Sequence, residues 1–317
     1  MTLLLSRSGL ERVLETEAAL AALRSGFGAA DGAIAPQRVR TGLPGPGTAT
    51  ALIPGLVPGI PAYTVKVNAK FPGADPALRG VVCLHDLATG ELLALLDSAT
   101  VTAWRTGLAA ALGTHALARP GADSVTVVGA GAQAELVLRG LTALRPVRRL
   151  TVVDLDRARA ESFADRVGRA RGIASSTSGD AREAARTADI TVTATWAREP
   201  LLDAGDVRPG CHVTSLGADE PGKAELSADL LRSSYVVVDD RELAARAGAL
   251  GNTGLGPQAA AATMAEVLRG EAATAPRDDT ATVYAPVGLP WQDLALAWPA
   301  YRRAVELGTG TRFDFLG

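Results

Sequence analysis

The chain has 317 residues, 47% of them apolar and 21% charged, with a formal net charge of −2. That length exceeds what one hydrophobic core usually serves, so two domains are expected, and the composition excludes a disordered chain. The weak negative charge gives no basic footprint, which excludes nucleic acid and anionic membrane as main partners and leaves small molecules.

Leu3 to Leu5 is too short for a signal-peptide core, and no apolar run approaches the ~20 residues of a membrane span, so the cytoplasm is the expected compartment. Cys83 and Cys211 stand alone, and His85, His115 and His212 form no paired motif, so neither a disulfide framework nor a metal site is expected. No repeat of fixed period interrupts the alanine- and glycine-rich texture.

In chain order, Leu3–Leu5 reads as a strand, followed by one amphipathic helix to about residue 30 with Leu10, Val13, Leu14, Leu20 and Leu23 near helical spacing. Residues 36 to 62 are rich in Pro and Gly and read as turns and short strands. Tyr63–Val67, Gly80–Leu84 and Leu92–Leu96 form a small meander, the last two joined by a turn through Asp86–Gly90. Thr100–Leu117 is a long helix, closed by Arg119-Pro120-Gly121, where a domain boundary is expected.

From Ser124 the pattern becomes Val125–Val128, Leu150–Val153, Ile190–Ala194, Val213–Leu216 and Val236–Val238, separated by helices. Uninterrupted β-branched runs suit strands buried on both faces, so a doubly wound parallel sheet is predicted. After Arg241 the chain reads as helical, and a last helix at about Trp291–Leu307 is expected to return to the first domain. The predicted division is 1–120 with 285–317, and 121–284.

The strand ending at Val128 runs into Gly129-Ala130-Gly131-Ala132-Gln133-Ala134 and then a helix. In this G-x-G-x-x-A pattern the first glycine permits a tight turn and the second lets pyrophosphate approach the backbone. The third small residue lets helix and strand pack closely. The helix N-terminus offers free N–H groups to phosphates. Asp154 ends the next strand, where a carboxylate accepts hydrogen bonds from the adenine ribose. A carboxylate there favours NAD(H) over NADP(H), while Arg157, three residues on, is placed to receive a 2′-phosphate if NADP is used. Thr195 and Trp196 close one strand and Asp219 follows another, so all three lie at strand carboxyl ends, where ligands of open parallel sheets bind. Asp219 is the best acid/base candidate, with a turn or N-cap before a helix at Ala224–Leu231 as its structural alternative.

Arg38, Lys66, Lys70 and Arg105 stand out in apolar or Gly-rich surroundings, as surface cations or as ligands for an anion. Arginine supplies a bidentate fork to a carboxylate and lysine a mobile point charge.

These residues resemble the ornithine cyclodeaminase/mu-crystallin family along nearly the whole chain. The likeness is carried by Pro36-Gln37-Arg38, Lys66 with Phe71-Pro72-Gly73, Asp97 with Val101-Thr102-Ala103-Trp104-Arg105-Thr106-Gly107, and the Gly129–Ala134 loop. It continues in Gly217-Ala218-Asp219-Glu220-Pro221-Gly222-Lys223-Ala224-Glu225-Leu226 and Val287-Gly288-Leu289-Pro290-Trp291-Gln292-Asp293-Leu294-Ala295. The resemblance implies a Rossmann domain inserted in a second, α+β domain for substrate and dimerisation, hence a homodimer. It further implies that Arg38, Lys66 and Arg105 hold the carboxylate of an amino or imino acid, with Asp219 facing the reacting nitrogen.

Two departures appear. The family's Thr-His is replaced here by Ala77-Leu78, and where ornithine-specific members carry an acidic residue before Met-Pro this chain reads Thr50-Ala51-Leu52-Ile53-Pro54. Without that carboxylate, burial of a distal ammonium is costly. The expected activity is therefore hydride exchange between a nicotinamide and the α-carbon of a small amino acid or its imine, of ketimine-reductase or amino-acid-dehydrogenase type. The alternatives are redox-neutral cyclodeamination of ornithine or lysine with tightly held NAD+, and a non-catalytic dinucleotide-dependent binding protein of crystallin type.

Overall fold

Burial along the strands separates two kinds of sheet. The computed structural model describes residues 1–29, 35, 37–45, 47–71, 73–74, 76–272 and 279–315, so Pro36 and Pro72 of the motifs above lie outside the described residues. The chain begins β1 (Thr2–Leu5), α1 (Arg7–Val13), α2 (Thr16–Ala29), β2 (Gln37–Gly42), β3 (Thr48–Gly55), β4 (Ala62–Lys70), β5 (Leu78–Asp86), β6 (Leu92–Asp97) and α3 (Ser98–Leu117). It continues β7 (Ser124–Val128), α4 (Ala132–Leu144), β8 (Arg149–Val153), α5 (Arg157–Arg171), β9 (Ala174–Ser178), α6 (Ala181–Thr187), β10 (Ile190–Thr193), β11 (His212–Ser215), α7 (Ala228–Arg232) and β12 (Tyr235–Val238). The last elements are α8 (Arg241–Ala247), α9 (Ala249–Asn252), β13 (Ala262–Thr263), α10 (Met264–Arg269), β14 (Thr282–Tyr284), α11 (Pro290–Leu307) and β15 (Thr311–Phe313).

Two compact units result: Met1–Thr106 with Leu289–Gly317, and Gly107–Gly288. The boundary falls inside α3, not at Arg119-Pro120-Gly121, because the second half of α3 belongs to the parallel sheet's core. A Cβ on Gly107 would meet Leu136 at 2.4 Å, and one on Gly113 would meet the Tyr284 ring at 2.3 Å. The return to the first unit comes after Gly288, not at 284, because buried Asp239 accepts the N–H groups of Val287 and Gly288 and holds that segment.

In the first unit the strand order is β15-β1-β6-β5-β4-β3-β2, antiparallel except for the parallel β1–β6 pair. On β4 the period-two alternation buries Ala62, Thr64, Lys66 and Asn68 and turns Tyr63, Val65 and Val67 to the other face. Polar side chains on the buried face reverse the usual pattern. Helix α11 packs on β4 and β3 and against α2, where Gly26 leaves room for Trp291: a Cβ there would stand 2.3 Å from the indole. The single N-terminal helix of the sequence reading is two, because Leu14 is extended (ψ 123) and its N–H closes α1 on the Leu10 carbonyl.

The second unit holds a wholly parallel sheet in the order β13-β12-β14-β11-β10-β7-β8-β9. The chain winds outward from β7 in both directions, so the strand order reverses between β7 and β10. Three strands of this sheet escaped the sequence reading, the two-residue β13 among them. The edge strand β9, Ala-Ser-Ser-Thr-Ser, is polar and mostly exposed; β14, only three residues long, lies fully buried between β11 and β12 in a stretch expected to be helical. The helix read at Ala224–Leu231 shortens to α7: Glu225 lies in a bend, Leu226 bridges Leu202, and Ser227 is the N-cap. Among the described residues no helix is long and apolar enough to cross a membrane.

Candidate active site

In the parallel-sheet unit the loop Gly129–Ala132 leaves β7 at the point where the strand order reverses. Gly129 has φ +100, which a Cβ would strain, and that Cβ would stand 2.6 Å from the Ala194 carbonyl. At Gly131 nothing lies within 4 Å of an added Cβ, and as N-cap of α4 it supplies no side chain to the helix's first N–H groups. A tight turn, an open approach and an uncapped helix start fit a dinucleotide pyrophosphate. Ala130 completes the turn, Ala132 and Gln133 open α4, and the buried Gln133 Oε1 has no partner among the described residues.

Asp154, at the end of β8, accepts the Ala130 N–H at 2.8 Å with one oxygen. The other oxygen takes the Asp156 N–H at 2.9 Å and Arg159 at 2.5 Å. Burial pushes this carboxyl upward, yet Arg159 and the two N–H donors outweigh it and hold it below the ordinary carboxylate range. Arg157 instead lies exposed in an i,i+4 pair with Glu161 at 2.8 Å. Arg159 is thus the cation beside Asp154, two residues from the one the sequence suggested.

At the ends of β10 and β11 the organising group is Glu225, fully buried and given no role by the sequence reading. Its oxygens accept from Thr193 Oγ1 at 2.7 Å, the Thr195 N–H and Oγ1 at 2.7 Å each, Ser215 Oγ at 2.8 Å and the Gly217 N–H at 2.7 Å. Five neutral donors tie Thr195 to the strand that leads to Asp219. Asp219 lies beyond Gly217, paired with Lys223 at 2.9 Å, and the Lys223 ammonium stands 4.5 Å from the centre of the largely exposed Trp196 ring.

In the first unit the strand register sets the cations. Arg38 pairs with Leu52, Leu52 with Lys66 and Lys66 with Val82, so these residues form one row on one face of the sheet. Lys66, 1% exposed, reaches Asp293 of α11 at 2.7 Å and Thr102 of α3 at 3.4 Å. Arg105, one helical turn after Thr102, places Nε 3.4 Å from Asp293 and donates from Nη1 to Gln292 at 3.2 Å. Burial drives the Lys66 amine down to about 7; Asp293 opposes that fall, and Arg105 and Arg38 add to it. Lys66 and Arg105 share one carboxylate while Arg38 acts on the charge of Lys66, an excess of positive charge suited to an anion.

The family model for the ornithine cyclodeaminase/mu-crystallin family matches residues 18–308. The chain belongs to this family. It is 30% identical to a Delta(1)-pyrroline-2-carboxylate reductase of Bacillus cereus over 282 residues, 84% of this chain and 85% of that protein. Among solved structures it resembles an archaeal alanine dehydrogenase dimer with bound NAD (TM-score 0.92, 29% identity, 99% of each chain). It also resembles the Thermococcus litoralis Delta(1)-pyrroline-2-carboxylate reductase in complex with NADH and L-proline (TM-score 0.91, 29% identity, 98% of this chain and 100% of that one). The Rossmann-type sheet inserted in a second α+β unit is therefore the family's architecture.

Of the 32 basic residues only Lys66, Lys70 and Lys223 are lysine. Two of the three sit in the clusters just described, and that scarcity is the signal by which Lys223 could have been found. Asp293 had a weaker signal, an acid inside the apolar run Leu289–Ala297.

Proposed function

We propose that this chain is an NAD(H)-dependent enzyme that interconverts a small α-amino acid and its imine, in the manner of a ketimine reductase or amino-acid dehydrogenase. The observation that carries the reading is the buried cluster of Lys66 and Arg105 about Asp293, with Arg38 in the same row, in a chain that also carries a dinucleotide loop. Both reductase and dehydrogenase relatives act on compounds bearing one carboxylate, which matches the cluster's excess charge.

The unit Gly107–Gly288 serves as the dinucleotide domain, and Met1–Thr106 with Leu289–Gly317 as the substrate and dimerisation domain. Gly129, Ala130, Gly131, Ala132 and Gln133 receive the pyrophosphate, Asp154 the adenine ribose, and Thr195 and Trp196 the nicotinamide end. Asp154 favours NAD(H); Arg159 takes over from Arg157 as the residue that would meet a 2′-phosphate. When bound, the nicotinamide would supply a hydride to the imine carbon or accept one from the α-carbon of the amino acid. Arg38 and Arg105 clamp the substrate carboxylate, Lys66 assists the clamp, and Asp219 delivers or removes the proton at nitrogen. Lys223 pairs with Asp219 and would give way to the substrate nitrogen.

A homodimer is supported by the opposite face of the first sheet, where Val39, Ala51 and Val67 lie in one row and Val39 and Val67 are 55% and 47% exposed. The free Cys83 and Cys211 suit the reducing cytoplasm. Leu52, where a carboxylate would serve an ornithine ammonium, argues against the cyclodeaminase reading.

The test is a screen of Delta(1)-pyrroline-2-carboxylate, its six-membered homologue and pyruvate with ammonia, each with NADH or NADPH, followed at the nicotinamide absorbance band. Oxidation of NADH with one of them is expected. Proline formed from ornithine on catalytic NAD+, with no NADH accumulating, would replace this reading by cyclodeamination; tight NADH binding without turnover of any compound would favour a binding protein.

A further inference from the structure

We propose that Asp293 is a positioning residue of the anion site: its carboxylate ties Lys66 to Arg105 and leaves their remaining donors for one substrate carboxylate. The inference rests on the reductase reading for the identity of the substrate, but not for the geometry.

An ammonium carries three donors and a guanidinium five. Lys66 spends donors on Asp293 and on Thr102. Arg105 spends Nη1 on Gln292 and turns Nε toward Asp293 at 3.4 Å, too long for a good hydrogen bond. Nε of Arg105 and Nε2 of Gln292 are both buried without a hydrogen-bond partner among the described residues. Buried donors without acceptors are costly and call for an oxygen-bearing ligand.

Asp293 has a second task, which is charge. The groups facing Lys66 are Asp293 on α11, Arg105 and Thr102 on α3, and Arg38 on β2. Burial and both arginines favour the neutral amine, and Asp293 alone among these groups favours the ammonium. Without Asp293 the buried lysine would shed its proton at lower pH, and the site would lose the compact cation that a carboxylate needs. A bound carboxylate would act as a second Asp293, so binding should draw a proton onto Lys66 near neutral pH.

Because the chain has only three lysines, the test can read Lys66 directly. Protein labelled with 13C-lysine gives three ε-carbon signals, whose shifts follow protonation as pH is varied. Lys66→Arg assigns the signal, and pyrrole-2-carboxylate serves as a flat, non-reducible carboxylate probe. In wild type the Lys66 signal should titrate near neutrality and move to higher pH with the probe. In Asp293→Asn the midpoint should fall by roughly one pH unit or more, and KM for the turned-over imine should rise roughly tenfold or more, with NADH affinity within about twofold of wild type. An unchanged Lys66 midpoint and unchanged KM in Asp293→Asn would overturn the proposal. Should that variant fail to fold, the wild-type signal still decides: no response of Lys66 to the probe would overturn it equally. The two readings fail separately. A Lys66 response without turnover of any imine removes the reductase reading and keeps the anion site; turnover with an indifferent Lys66 does the reverse.

Discussion

Asp293 and Glu225 are both fully buried carboxylates, one in each unit, and they are stabilised in opposite ways. Glu225 accepts five hydrogen bonds from hydroxyls and backbone N–H groups; Asp293 leans on a lysine and an arginine. A carboxylate saturated by neutral donors has nothing left to exchange and serves as a brace. A carboxylate shared between cations leaves positive charge and spare donors behind, which is what a binding site requires.

Substitutions can break this contrast, the largest effect coming first. Lys66→Ala leaves Asp293 buried with one weak partner, and kcat/KM for the imine should fall on the order of a thousandfold, a loss of about 4 kcal/mol. A fall below tenfold would remove Lys66 from the site. Glu225→Ala strands five donors and should cost about 3 kcal/mol of stability or more, seen as a drop of roughly 10 °C in melting temperature. If melting were unchanged and only KM moved, Glu225 would be part of the site and not its brace.

The cluster around Lys66 should also respond to pH. Lys66 titrates at about 7 in the folded protein against 10.5 in an unfolded chain. Above 7 the ammonium is lost, so KM for an anionic substrate should climb, by up to about tenfold per pH unit. The stability sign is the reverse. Between about 7 and 10.5 the unfolded chain holds more protons at this lysine than the folded one, so this group's contribution to stability rises with pH across that window. Chemical denaturation of wild type and Lys66→Met at several pH values checks it, and equal pH slopes would contradict it.

Smaller effects sharpen the cofactor side. Asp154→Asn should raise KM for NADH by roughly tenfold and narrow the preference over NADPH. Arg157→Ala, on an exposed pair with Glu161, should leave cofactor KM and melting temperature unchanged; a loss of NADPH use in that variant would return to Arg157 the role now given to Arg159.

Much of the parallel-sheet unit was legible. Val125–Val128 and Leu150–Val153 carry a single Thr each among branched apolar residues and Val236–Val238 is apolar throughout, as suits strands covered on both faces, and the glycine loop declares itself by spacing. Polar β9 and three-residue β14 carried no such pattern. In the cation cluster the sequence offered Arg38, Lys66 and Arg105 as isolated charges, and the family likeness supplied their common purpose. Thr102 and Arg105 share a helix face by local periodicity, yet Asp293 lies 227 residues from Lys66, and nothing in either segment points to the other.

The sequence by itself determined the residue types: glycine where a turn needs positive φ, β-branched runs where strands are covered on both faces, and an Asp at a strand end. These are decided within a few residues of chain. Only the tertiary structure decided which charges meet, because register across β2, β3 and β4 and the docking of α11 on that sheet are long-range pairings. It is those pairings that turn Asp293 from one acid in an apolar helix into the partner of Lys66, and Glu225 into the tie between two strand ends.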